Sequence, residues 1–82
     1  MVLLSQIPYA DSNGTLSVEV QLERAADVFL VDSINFQHYK AGRRFKYYGG
    51  NYTSTPVNIS VEGNGRWYLI VKGRGRYKYR FY

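Results

Sequence analysis

Apolar and polar residues alternate along much of this chain, and that one feature restricts it to extended structure. Leu16, Val18, Val20 and Leu22 are interleaved with Ser17, Glu19, Gln21 and Glu23. A period of two puts every second side chain on one face of a strand, whereas a helix would scatter these four around its circumference. Residues 15–23 therefore read as a strand with one buried face. The rhythm returns at Val57, Ile59 and Val61, at Trp67, Leu69 and Val71, and at Tyr77, Tyr79 and Phe81. In the last of these the intervening residues are Arg76, Lys78 and Arg80, so one face is aromatic and the other wholly basic. Val28-Phe29-Leu30-Val31 is a β-branched and apolar run suited to an internal strand, and Tyr68 and Ile70 give residues 67–71 two apolar faces and a central place.

Punctuation between these runs sets the expected order of elements. Residues 2–7 are apolar enough for a first strand. Asp11-Ser12-Asn13-Gly14 reads as a turn, because Asn-Gly tolerates positive φ, and Arg24 to Asp27 reads as a polar connection. Residues 33–40 read as a short helix or helical loop, capped by Asp32 or Ser33 and ended by Gly42 in the left-handed region, with Phe36 and Tyr39 on one side. Such a turn would close one end of the domain like a lid. Arg43 to Tyr48 alternates as a strand that Gly49-Gly50 breaks, Pro56 keeps the stretch before it out of a central ladder, Glu62-Gly63-Asn64-Gly65 reads as a tight hairpin, and Gly73-Arg74-Gly75 as the final turn. The sum is an all-β chain: a small antiparallel β-sandwich or partly open barrel of six or seven strands with one short helical turn.

The 82 residues suffice for one domain, spanning 1–82. A chain of this size buries only about 60–65% of the surface it exposes unfolded, so its core is small and association with a copy or partner would help it. Cysteine is absent, which removes disulfides and thiolate metal sites and favours the cytoplasm. No run approaches the ~20 apolar residues of a membrane span, the first ten residues carry no base and do not read as a signal peptide, and no membrane partner is expected. The Asn-x-Ser/Thr triplets at Asn51 and Asn58 are in that setting chance matches.

The net charge of +5 conceals an asymmetry: residues 1–32 hold five acids and one base, residues 33–82 ten bases and one acid. Twelve of the fourteen aromatic residues also lie in the second stretch. Arg43, Arg44, Lys46, Tyr47 and Tyr48 form one set of bases and rings, and Arg74, Arg76, Lys78, Arg80 and Tyr82 form another. Cations attract phosphate and aromatic faces stack on nucleobases, so the two sets together suit a nucleotide or a single nucleic-acid strand. The plainer reading makes Phe45, Tyr77, Tyr79 and Phe81 core and the bases a solvated face that keeps sheet edges from pairing. Gly73-Arg74-Gly75-Arg76 has the letters of an arginine-glycine RNA-binding segment, and equally those of a turn flanked by bases.

Catalytic equipment is sparse. Asp32, Ser33 and His38 are the residue types of a nucleophilic triad, yet they fall within seven positions, whereas a triad converges from separate elements. A capping Asp32 or Ser33 and a surface His38 explain them better. With one histidine and six scattered acids, neither a metal site nor a carboxylate pair is expected, and no cofactor is.

Asp32-Ser33, Asn35-Phe36, Tyr39, Gly42, Phe45 and Tyr47-Tyr48-Gly49-Gly50, followed by Pro56 and by Gly65-x-Trp67 leading into Leu69-Ile70-Val71, resemble a bacterial family catalogued as domain of unknown function 1883. The resemblance implies a small, mostly-β domain found alone or attached to other modules, including Toll/interleukin-receptor-type signalling domains. That company implies sensing or defence, and brings no catalytic residues. The tail from Arg74 to Tyr82 is more basic and aromatic than the family pattern.

These readings converge on a non-enzymatic binding module. Its expected ligand is an anionic small molecule of the nucleotide type or a nucleic acid, held by Arg43, Arg44, Lys46, Tyr48, Arg74, Arg76, Lys78 and Arg80. The alternative is a protein-interaction or self-assembly module that pairs through residues 77–81 with a copy of itself or another protein.

Overall fold

The structure, a computed structural model, describes residues 7–82. Five strands and one helix follow in the order β1 (Tyr9–Leu22), β2 (Ala26–Asp32), α1 (Ser33–Lys40), β3 (Tyr48–Tyr52), β4 (Val57–Gly73) and β5 (Tyr77–Phe81). All pairings are antiparallel, and the strands form one open sheet in the order β3-β2-β4-β1-β5. The all-β expectation holds; the described residues form five strands in one open sheet, and a sandwich or barrel of six or seven strands is not what they show. The strand expected at residues 2–7 lies, except for Ile7 in a bend, outside the described residues.

Two of the expected turns are not turns. Asp11 to Gly14 lies inside β1, and Glu62 to Gly65 lies inside β4. The two segments pair with each other, Ser12 opposite Gly65 and Gly14 opposite Gly63. A straight strand of β4's 17 residues would be about 55 Å long, but the whole molecule extends only 30 Å along its longest axis. The long β1–β4 ribbon therefore folds across itself. The crease lies where the inner face carries Ser12, Gly14, Gly63 and Gly65, and the three glycines have φ of +122°, +131° and +118°. Bare inner positions let the halves close, and positive φ supplies the bend. Asn-Gly and Gly-Asn-Gly carry the letters of a chain reversal because a turn and a crease make the same demand on φ.

The fold brings the inner faces of both halves into one core. Leu16, Val18 and Val20 from β1 and Val57, Ile59 and Val61 from β4 meet Val28 and Leu30 from β2 and Trp67 and Leu69 from the far half of β4. Val18, Val20, Val28 and Leu30 are wholly excluded from solvent. Each contributes roughly 1.5–3 kcal/mol by leaving water. Central placement of β4 and an internal place for β2 agree with their two-faced apolar sequences.

On the outer face of β2 and β4, Val31 and Ile70 meet Phe36 of α1 in a second cluster, flanked by Ile7, Phe29, Tyr39, Phe45 and Tyr68. α1 covers it, so the helix lies on a sheet face rather than closing an end. Its start follows the cap expected from sequence: Asp32 Oδ1 accepts the backbone N–H of Asn35 at 2.8 Å. Gly42 at φ +72° ends the turn. Phe36 stacks on Tyr68, with ring centroids 3.9 Å apart.

Candidate functional site

Strand register explains much of the uneven charge along the chain. Asp11 sits opposite Arg66, Glu19 opposite Arg80, and Asp27 opposite Lys72. Arg66 Nε donates to Asp11 at 3.0 Å, and Arg80 Nε donates to Glu19 at 3.2 Å. The hydrogen bond from Arg66 holds the Asp11 carboxyl below the usual carboxylate range. The acidic early stretch is thus laid against the basic later one across the sheet. Bases with no acid across from them are the informative ones, and four of these, Lys40, Arg43, Arg44 and Lys46, fall within the end of α1 and the loop that follows.

That loop is built from the Asn35 side chain outward. Asn35 Nδ2 donates to Asp32 Oδ1 at 2.9 Å, and Asn35 Oδ1 accepts the Lys46 N–H at 2.7 Å. The first turn of α1 and the far end of the loop are tied through one residue. Arg43 N–H donates to the His38 carbonyl at 2.9 Å. Phe45 turns inward, 5.3 Å from the Tyr39 ring and 6.0 Å from the Phe29 ring. Tyr47 follows it onto Phe29 at 4.4 Å. Arg44 and Lys46, on either side of Phe45, line a shallow hollow of about 380 Å³ with Asn35, His38 and Phe45. No carboxylate lines it.

The expected strand at 43–48 is this irregular loop instead. The ladder position beside β2 is taken by β3, which runs through the Gly49-Gly50 pair expected to break it. Gly49 has φ +130° and crosses so close to Val28 that a Cβ would collide with the Val28 carbonyl. Only glycine lets the chain lie there. Tyr48, opposite the inward Leu30 and 5.9 Å from the Trp67 ring, belongs to the inner face, away from Arg44 and Lys46.

Arg76, Lys78 and Arg80 do share one face of the β5 region, as the alternation requires, but acids stand among them. Lys78 is opposite Gln21, Arg80 is paired with Glu19 and packs over the Tyr82 ring at 4.8 Å, and the Arg76 carbonyl accepts the Glu23 N–H at 2.9 Å. Arg76 and Lys78 line a hollow of about 350 Å³ with Gln21, Leu22, Glu23 and Tyr77. A smaller one, about 130 Å³, is lined by Lys78, Tyr79 and Arg80 with Glu19 and Gln21. Arg74 lies in the bend before β5. The rings are less enclosed than expected: Tyr77 and Tyr79 stay 36% and 45% exposed. The two base-and-ring sets lie toward opposite edges of the sheet, line separate hollows and do not make one cradle.

The family model described as Domain of unknown function (DUF1883) matches residues 10–80. The chain belongs to the DUF1883 family. No curated protein and no solved structure matches it. The matched stretch takes in the crease, α1, the Asn35-tied loop and all but the last residue of β5, so both base-and-ring regions are part of the DUF1883 domain.

The residues of the triad type do not converge in this DUF1883 chain. Asp32 Oδ1 is engaged by Asn35, the Ser33 hydroxyl donates to the Arg66 carbonyl at 3.4 Å, and His38 faces the loop hollow. Among the described residues no three His, Asp or Glu side chains are grouped as metal ligands, and no helix is long and apolar enough to cross a membrane. Sequence reasoning missed Asn35 as the organising residue. Its signal was present in the Asp32-x-x-Asn35 spacing of a cap, but its second partner, the Lys46 amide, is eleven residues away and visible only in the fold.

Proposed function

We propose that this DUF1883 domain is a non-enzymatic binding module that holds an anionic, nucleotide-type ligand at the loop between α1 and β3. Arg44 and Lys46 flank the hollow, Arg43 adds charge from the same loop, and His38 and Asn35 offer hydrogen bonds at its rim. The observation that carries the reading is the contrast in lining: this hollow has two bases and no carboxylate, whereas both hollows at β5 include a glutamate. In this reading the domain works in the cytoplasm of a bacterium or in a phage-infected cell, and ligand capture serves a sensing or defence role.

The test is binding of a fluorescent cyclic dinucleotide and of a labelled oligothymidylate, each to the wild-type chain and to the Arg43→Ala/Arg44→Ala/Lys46→Ala variant. Affinity for the dinucleotide should fall by at least about tenfold in the variant, a loss of about 1.4 kcal/mol. If the oligonucleotide is the tighter ligand, its salt slope should drop by about two when three phosphate contacts are removed. Equal binding by variant and wild type refutes the site.

A further inference from the structure

β5 is an edge strand with its outward backbone unpaired among the described residues. Ser17 and Tyr82 exchange both backbone hydrogen bonds at 2.8 Å, and Glu23 N–H bonds the Arg76 carbonyl. Hydrogen-bonded pairs alternate along an antiparallel ladder, so Arg80 and Lys78 also bond toward β1. The amides and carbonyls of Tyr77, Tyr79 and Phe81 therefore point away from the sheet. The rings of these same residues lie on the core face, opposite Leu22, Val20 and Val18. They form a continuous row, with centroid separations of 6.2 and 5.7 Å. The core face is thus fully covered at Val20 and open one strand further out at Tyr79.

The other edge differs. β3 has glycine at two of its five positions, one at positive φ, and Asn51 turns back to Asp27 at 3.0 Å. That edge offers neither a flat backbone nor a row of side chains to an incoming strand.

We infer that the outward edge of β5 docks an extended segment of another protein in which apolar residues alternate with Asp or Glu. Pairing would place apolar residues opposite Tyr77, Tyr79 and Phe81, where they cover the exposed rings. It would place acids opposite Lys78 and Arg80, in the closely spaced, non-hydrogen-bonded positions of an antiparallel pair. The inner neighbour of β5 already has this pattern: Val18-Glu19-Val20 lies against Phe81, Arg80 and Tyr79. Glu19 engages only the Nε of Arg80, leaving guanidinium donors for a second acid. Charge argues against a second copy of β5 as occupant. Antiparallel self-pairing centred on Tyr79 sets Lys78 against Arg80 twice, and a two-residue shift sets Lys78 on Lys78 or Arg80 on Arg80.

Residue-resolved amide hydrogen exchange of the full chain tests this, with a capped Ser-Val-Glu-Val-Glu-Val-Ser peptide as probe and its Lys-for-Glu counterpart as control. At about ten times its dissociation constant the acidic peptide should slow exchange of the Tyr77, Tyr79 and Phe81 amides about tenfold. The basic peptide should leave them unchanged. Lys78→Glu, a change at an exposed position, leaves one base and one acid on that row and should abolish the preference. Tyr79→Pro removes one outward donor without touching the β1 ladder, and should abolish protection while Trp67 fluorescence reports an intact core. Equal protection by both peptides, protection by neither, or an unaltered preference in Lys78→Glu overturns the inference. So does slow exchange in the free chain that grows with protein concentration, which would make a second copy the occupant. Slow exchange in the free chain that vanishes when residues 1–6 are removed also overturns it, because the edge would then be filled from within.

Discussion

Residues 43–48 and 76–82 are alike in composition, bases interspersed with rings, yet the fold uses them in different ways. In the first, Phe45 is half-buried between Tyr39 and Phe29, Tyr47 rests on Phe29 while still 48% exposed, and Arg44 and Lys46 are left around a hollow without an acid. In the second, the rings stand partly in solvent and the bases share their face with Glu19 and Glu23. What differs is the neighbour. The first segment crosses a face already made apolar by β2, and the second lies beside β1, whose polar face is acidic. Base-and-ring composition marks a surface, and the strand next to it decides whether that surface is available to an anion.

The sharpest way to break the contrast is at Gly49, which lets β3 occupy the ladder beside β2 and so leaves 43–47 as a loop. Gly49→Ala adds a Cβ that meets the Val28 carbonyl at a positive φ. It should cost about 3 kcal/mol or more. Urea unfolding would show this as a lowered midpoint, and the loop site should fail with it. A cost below about 1 kcal/mol would mean that β3 can shift without strain and that the loop is not held by its register.

Next come the rings themselves. Phe45→Ala removes a half-buried ring wedged between Tyr39 and Phe29 and should cost about 2–3 kcal/mol. Tyr79→Ala, at 45% exposure on the open edge, should cost under about 1 kcal/mol. Comparable losses for the two would erase the distinction between the wedged Phe45 ring and the open row on β5.

How much of this was legible in the chain depends on the range over which each signal acts. The alternations at 16–22, 57–61, 67–71 and 77–81 are local, and each segment is a strand with the expected inward residues. The helix was equally local, with Asp32 at one end and Gly42 at the other. The crease was not. Asn13-Gly14 and Gly63-Asn64-Gly65 carry the letters of turns, and only the pairing of Gly14 with Gly63, 49 positions apart, distinguishes a fold in a ribbon from two reversals. A trace was there: apolar positions run outward from Gly14 as Leu16-Val18-Val20 and from Gly63 as Val61-Ile59-Val57, so the two runs match when aligned on their glycines. The candidate site was legible as residue types alone. Which bases faced acids required strand order, because Glu19 and Arg80 are 61 residues apart.

A smaller effect separates position from charge in the loop. Asn35→Ala removes the acceptor for the Lys46 amide and one donor to Asp32 but changes no charge. It should cost about 1 kcal/mol, a fall of roughly 4–8 °C in Tm for a domain of this size. It should also weaken anion binding at the loop while leaving peptide protection at β5 as it was. Unchanged anion affinity in a folded Asn35→Ala variant would mean that Arg44 and Lys46 act as untethered charges, no more positioned than Arg76 and Lys78.

The smallest effect belongs to the open edge. Burial raises the Tyr77 phenol above its ordinary range, and the neighbouring Tyr79 adds to the shift by charge repulsion. The folded chain therefore keeps this proton after the unfolded chain begins to lose it near pH 10. Stability linked to Tyr77 is complete below that pH and is lost as pH rises toward the folded-state value. Between neutral pH and just above pH 10 the urea midpoint should fall further in wild type than in Tyr77→Phe. An acidic strand laid over the rings should steepen the wild-type loss, because it buries the phenol further and brings negative charge near it. If Tyr77→Phe leaves the alkaline slope unchanged, the ring is solvated in the folded state and the row on β5 is no extension of the core.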